Sequence, residues 1–147
     1  LGEAEISLGL WVGGSVTPNT YQQALESTND LLSDDNPVNP FILSNCPWCK
    51  TDLVPKERKP DNFYGFQATE TSFKFFCPSS SCKFHTKLPL NIVDDHLYKN
   101  PPTLLVGTID KVFSNIDEFK SVECAYIIAY VPDIVWGNSL EILSQKI

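Results

Sequence analysis

Hydrophobic positions along the chain fall into short runs separated by turn residues. Ile6-Ser-Leu-Gly-Leu-Trp-Val-Gly13 is apolar and β-prone, and Gly13-Gly14 ends it, which predicts a buried strand followed by a loop. Thr17-Pro18 then offers a helix cap followed by proline at the first helical position. Tyr21, Ala24, Leu25, Thr28, Leu31 and Leu32 recur at helical spacing, so residues 18–33 are expected to form an amphipathic helix. Ser33-Asp-Asp-Asn-Pro-Val-Asn-Pro40 is rich in turn formers and reads as a linker.

Beyond the linker the spacing changes. Phe63-Tyr-Gly-Phe66 and Ser72-Phe-Lys-Phe-Phe76 predict a pair of strands, after a proline-flanked, charged loop at 55–62. Leu88-Pro-Leu-Asn-Ile-Val93 predicts a short strand, and Asp94-Asp-His-Leu-Tyr98 one turn of helix. Thr103-Leu-Leu-Val-Gly107 is a continuous apolar run, as expected of a strand covered on both faces. A helix is expected to start at Thr108 and run toward Phe113. Such a start presents free backbone N–H groups to an anion, and Lys111 lies on the same turn.

Composition narrows the class. With 147 residues, 42% apolar and 20% charged, the chain is long enough for one buried core and is neither disordered, collagen-like nor coiled-coil. The apolar run Ala125–Val131 is too short to cross a membrane, and the start at Leu1 does not read as a signal peptide. A cytoplasmic setting and no membrane contact are expected. Methionine is absent, which suggests a chain that begins inside a longer reading frame.

The net charge of −7 is unevenly spread. Residues 1–40 carry six acids and no Lys or Arg, residues 41–90 seven bases against four acids, and residues 91–147 four bases against eight acids. The acidic total argues against an autonomous high-affinity nucleic-acid binder, and the basic middle leaves room for a local contact.

Four of the five cysteines form two close pairs, Cys46-Pro-Trp-Cys49 and Cys77-Pro-Ser-Ser-Ser-Cys82. An odd count without a secretion signal speaks against a disulfide framework. Two tight pairs suit one tetrahedral Zn²⁺, which takes two thiolates from each of two turns. Cys46, Cys49, Cys77 and Cys82 are therefore the expected ligands of a structural zinc. The rival reading of Cys46–Cys49 as a redox pair needs a helix at the first cysteine, and Lys50-Thr-Asp-Leu-Val-Pro55 breaks one at once. His85 is a substitute ligand by position, though a surface role suits it better. Cys124 reads as a small buried apolar residue.

The order knuckle, hairpin, knuckle is the plan of a zinc ribbon. Nine aromatics fall in residues 41–88: Phe41, Trp48, Phe63, Tyr64, Phe66, Phe73, Phe75, Phe76 and Phe84. Most are expected to build the core of this small unit around the metal, with Trp48 at a knuckle tip the candidate for exposure and base stacking.

Five segments together resemble a known family. They are Leu10-Trp-Val-Gly-Gly-Ser-Val-Thr-Pro-Asn19, Asn45-Cys-Pro-Trp-Cys49, Phe76-Cys-Pro with Cys82-Lys-Phe84, Leu88-Pro-Leu-Asn-Ile-Val-Asp94, and Pro102-Thr-Leu-Leu-Val-Gly-Thr-Ile-Asp-Lys111. In this order they resemble the first motor domain of superfamily 2 helicases with a zinc-binding insertion, as in the helicase-like proteins of the DISARM anti-phage system. The resemblance covers residues 6 to 113. It implies an α/β fold, with a partial RecA-like parallel sheet from residues 1–40 and 89–147 and a zinc-ribbon-like insertion at 41–88. It also implies that Gly13, Gly14, Ser15, Gly107, Thr108 and Lys111 touch the backbone of a bound single strand, weakly and without reading sequence.

Departures from the family pattern are equally specific. Lys50 follows the first knuckle where the family usually has glycine. The chain contains no Gly-x-x-x-x-Gly-Lys-Ser/Thr loop and no Asp-Glu-x-His motif, so ATP and Mg²⁺ belong to the longer parent that the resemblance implies. Residues 114–147 depart from the pattern altogether. Two functions follow: a segment of an ATP-dependent helicase or translocase in antiviral defence, acting within a complex of protein partners, or a zinc-ribbon adaptor that binds protein without enzymatic activity.

Overall fold

A computed structural model of the chain describes residues 5–12, 16–108 and 126–130, the last as a backbone strand. The fold is α/β. Four parallel strands, β1 (Leu8–Trp11), β4 (Leu90–Asn91), β5 (Leu104–Thr108) and β6 (Tyr126–Tyr130), form one sheet in the order β4-β1-β5-β6. Between β1 and β4 the chain builds helix α1 (Tyr21–Ser33) and an antiparallel hairpin, β2 (Phe66–Ala68) and β3 (Phe73–Phe75). Helix α2 (Asp94–Lys99) links β4 to β5.

Several elements differ from expectation in informative ways. Helix α1 starts three residues later than Thr17-Pro18 suggests, because Thr20 is its cap: the Thr20 side chain accepts the Gln23 amide at 3.1 Å. The stretch before it is committed elsewhere. The carbonyls of Pro18 and Asn19 accept the amides of Asp94 and Asp95 at 3.4 and 3.0 Å, so they serve the first turn of α2. Asp95 in return accepts the Tyr21 amide at 3.1 Å, which satisfies the opening turn of α1.

In the hairpin, Phe63 ends a single 3₁₀ turn at Asp61–Phe63, and pairing begins only at Phe66. Phe66 faces Phe75 and Ala68 faces Phe73, which puts the rings of Phe66, Phe73 and Phe75 on the buried face. β5 alternates between half-buried and buried positions, with Leu105 and Gly107 inward, where a uniformly covered strand was expected. Thr108 is the last residue of this strand, and the helix expected to begin there falls outside the described residues. β6 arises from the apolar run at 125–131 that the membrane criterion excluded.

The sheet and the hairpin share packing. Leu88 donates its amide to Phe75 O at 2.8 Å, and Leu8 donates to Pro89 O at 2.8 Å, so hydrogen bonding runs from β3 through the connection into β1. Asn91 is buried and bonded through both ends of its amide. Its Nδ2 donates to Phe73 O at 2.8 Å, and its Oδ1 accepts the amides of Ile92 and Val93 at 2.9 and 3.1 Å. A single buried cluster includes Tyr21, Ala24 and Leu31 of α1, Phe41, Phe66, Phe73 and Phe75, and Leu88, Ile92 and Val93. Phe41 sits among three rings, with centroids 4.7 Å from Phe66, 5.0 Å from Phe73 and 6.2 Å from Phe75, all edge-on.

No helix among the described residues is long and apolar enough to cross a membrane.

Candidate metal centre

The first knuckle is a tight hairpin. Leu53 donates its amide to Ser44 O at 3.0 Å, Asn45 and Asp52 form a bridge, and Cys46 donates to Thr51 O at 2.8 Å. Lys50 then closes the turn by donating to Cys46 O at 2.9 Å. A turn this short needs a left-handed residue after Cys49, and Lys50 supplies it at φ 67°. The position where the family resemblance calls for glycine therefore has a glycine-like backbone with a lysine on it. No helix follows Cys46, which removes the geometry of a redox pair.

The second knuckle is held from both ends. Cys77 donates its amide to Phe84 O at 2.9 Å, and Cys82 donates to Ser79 O at 3.1 Å. His85 is not turned to the sulfurs. Its Nδ1 lies 2.8 Å from the Cys77 carbonyl, which accepts a hydrogen bond from the ring and fixes the start of this loop.

Two backbone links bring the knuckles together. Gly65 donates its amide to Leu53 O at 2.8 Å, just beyond the first pair, and accepts at its own carbonyl from Phe76 at 2.9 Å, just before the second. A Cβ at residue 65 would lie 2.8 Å from Phe76 O and would overlap the Leu53 side chain, so glycine is required by this close approach. Gly65 and Thr51 help shape this candidate site, and the sequence pattern alone did not single them out. The Gly between Tyr64 and Phe66 was the visible signal for the first, because an isolated glycine in a strand-like run marks a close backbone approach.

The result is a compact set of four sulfurs. Cys46, Cys49, Cys77 and Cys82 have all their Sγ atoms within 4.8 Å of one another. Cys49 and Cys77 are 3.4 Å apart and Cys46 and Cys82 3.9 Å apart. Tetrahedral Zn–S bonds of about 2.3 Å place sulfurs about 3.8 Å from each other, so the donor set fits a four-thiolate ion in both chemistry and spacing. The cluster can hold a metal ion, and Cys46 and Cys77 are buried while Cys49 is exposed.

The thiols are electrostatically unequal. The Thr51 hydroxyl, 3.1 Å from Cys49 Sγ, together with the Thr51 backbone amide, holds the Cys49 thiol down at about 6. Burial pushes the Cys77 thiol up to about 12. The Phe84 amide points at Cys82 Sγ from 3.5 Å, a further donor to the cluster.

Aromatic side chains divide as the spacing suggests. Phe41, Tyr64, Phe66, Phe73 and Phe75 are buried, whereas Trp48 is 63% exposed and Phe63 49%. Among the residues expected to meet a nucleic-acid backbone, Gly107 is buried and Thr108 half-buried at the end of β5. Gly13, Gly14, Ser15 and Lys111 lie outside the described residues, as does Cys124.

Fold and site together define a parallel α/β sheet joined to a four-cysteine, ribbon-like unit. No protein-family model matches the sequence. The chain is similar to the DISARM protein DrmA of Bacillus paralicheniformis, with 29% identity over 116 residues. That alignment takes in 75% of this chain and 10% of DrmA, so the chain spans about a tenth of the length of its relative.

Proposed function

We propose that the chain is a segment of an ATP-dependent nucleic-acid helicase or translocase of cytoplasmic anti-phage defence, one that contributes contacts to the backbone of a single strand and a structural zinc module. The observation that carries this reading is the register of β1 on β5, in which Trp11 stands opposite Gly107. The carboxyl ends of these two strands are neighbours, and from them the connections diverge: β1 leads toward β4 on one side and β5 toward β6 on the other. Open parallel sheets bind ligands at such a point. Gly13, Gly14 and Ser15 follow β1 in sequence, Gly107 and Thr108 close β5, and Lys111 comes three residues later. Glycines admit a phosphodiester to the backbone and a lysine neutralises it, which positions a strand without reading its bases.

Similarity to a DISARM protein supports the defence setting. ATP and Mg²⁺ belong to other parts of the longer protein we infer. Within this chain, Cys46, Cys49, Cys77 and Cys82 would hold Zn²⁺, with the Thr51 hydroxyl and the Phe84 amide offsetting thiolate charge. Four thiolates close the coordination sphere, so the ion would tie residues 41–88 together as an inserted module and would not catalyse.

The test is a titration of the zinc-loaded chain with labelled oligonucleotide at low salt, in wild type and in Lys111→Ala. Weak, salt-sensitive binding that Lys111→Ala reduces for all sequences alike is expected. Absence of binding by the wild type, or equal binding by the variant, would refute the motor reading of this junction.

A further inference from the structure

The two knuckles meet at their tips as well as at their sulfurs. Trp48 lies between the cysteines of the first pair and Phe84 just past the second, and their rings touch edge-on, with centroids 5.7 Å apart at 79°. Phe84 is half-buried and packs on the central core, so it anchors the pair. Trp48 does the opposite. At 63% exposure it is the most exposed ring among the described residues, and one edge-on neighbour leaves most of its surface open. Burial would have been favourable for so large a side chain, and the knuckle instead presents it to solvent.

Positive charge accompanies the ring. Lys83 Nζ stands 5.5 Å from the Trp48 ring centre and 5.7 Å from that of Phe84. Lys50, held at the left-handed position beside Cys49, turns its ammonium to Pro47 O at 3.5 Å and so stays at the same tip. The segments 47–50 and 78–84 contain these two lysines and three serines and no Asp or Glu, in a chain whose net charge is −7. An open indole with lysines beside it, on two segments that themselves carry no acid, complements a flat, π-faced group attached to an anion.

We infer that the joined knuckle tips form a stacking station for one nucleotide of a single-stranded nucleic acid, with the base on Trp48 and its phosphate near Lys83 and Lys50. This rests on the nucleic-acid reading above and adds to it a base contact, where the sheet ends offer backbone contacts only. Stacking of this kind tolerates any base, because every base has a π face. It also gives the zinc module a task beyond cohesion: the metal fixes both tips, and the tips fix the ring.

The experiment compares two probes at low salt, a short labelled oligothymidylate and an abasic strand of equal length, on zinc-loaded chains. Fluorescence anisotropy reports affinity and tryptophan emission reports the ring. The expected result is quenching of emission by oligothymidylate, absent in Trp48→Phe and absent with the abasic strand. Trp48→Leu should bind oligothymidylate about tenfold more weakly and the abasic strand as wild type does, whereas Trp48→Phe should keep most of the affinity. Zinc content is measured for each variant, and if Trp48→Leu loses its metal, the emission change and Trp48→Phe decide. Loss on both probes alike, or no loss in Trp48→Leu, would overturn the stacking station. Failure of Trp48→Leu to matter while Lys111→Ala weakens both probes removes this proposal alone. A base-dependent loss at Trp48 with Lys111→Ala at wild-type affinity removes the sheet-end reading alone. Binding of neither probe by the wild type removes both and leaves the tip to a protein partner.

Discussion

Lys50 donates its amide to the carbonyl of Cys46 at 2.9 Å, and in closing that turn it takes a φ of 67°. For an L-residue with a β-carbon the left-handed conformation costs about 1–2 kcal/mol, part of which glycine forfeits through its greater freedom in the unfolded chain. Lys50→Gly is therefore expected to stabilise the zinc-loaded fold by about 1 kcal/mol, read as a raised midpoint in denaturant. A lower midpoint would show that the lysine side chain contributes more than its backbone costs.

One zinc per chain is expected from metal analysis, and Cys77→Ala should abolish it. Removal of the metal by a chelator should cost at least about 3 kcal/mol of stability, because binding and folding of such a unit are one equilibrium. The ion requires all four sulfurs as thiolates. Cys77, pushed up to about 12 by burial, must release a proton on binding at neutral pH, whereas Cys49 at about 6 is already largely ionised. Apparent zinc affinity should rise with pH above neutrality and fall steeply below pH 6, as measured by competition with a chromophoric chelator.

Gly65→Ala places a methyl group 2.8 Å from the Phe76 carbonyl, against backbone that cannot turn away without breaking its bond to Gly65. A loss of about 2 kcal/mol is expected from overpacking of this kind. Zinc should also exchange faster, because Gly65 spaces the two knuckles. Unchanged stability in thermal unfolding would contradict the close approach.

His96 is pushed below the usual imidazole range by burial and, to a lesser extent, by Lys87. Its Nδ1 lies 3.3 Å from the Tyr21 hydroxyl, which keeps its proton because burial and the Asp95 carboxylate raise it. As pH falls below about 6.5 the unfolded chain binds a proton that the folded chain resists, so stability declines toward acid. His96→Gln should flatten that decline between pH 7 and 5 in denaturant titrations; an identical slope in the variant would exclude His96 as its source.

Much of the architecture was legible in one dimension. Parallel-sheet character showed in the runs around Leu10 and Leu105, and the four-cysteine cluster that can hold a metal ion showed in the two cysteine spacings, because a knuckle is a local structure whose geometry depends on a few consecutive residues. The same holds for Trp48, exposed because it sits at the tip of a turn. Positions decided by distant neighbours were not legible. Thr17-Pro18 has the chemistry of a helix start, yet α2 takes the carbonyls of Pro18 and Asn19, and Thr20 becomes the cap.

The cysteine pairs themselves determined that two knuckles would form, and the hydrophobic runs determined an α/β chain. Only tertiary structure decided that the knuckles share one centre, through the bonds of Gly65 to Leu53 and Phe76, and that Trp11 comes to lie opposite Gly107. Strand order and register are set by which surfaces bury together. Residues as far apart as 11 and 107 cannot signal that pairing locally, since it arises from the packing of the whole core.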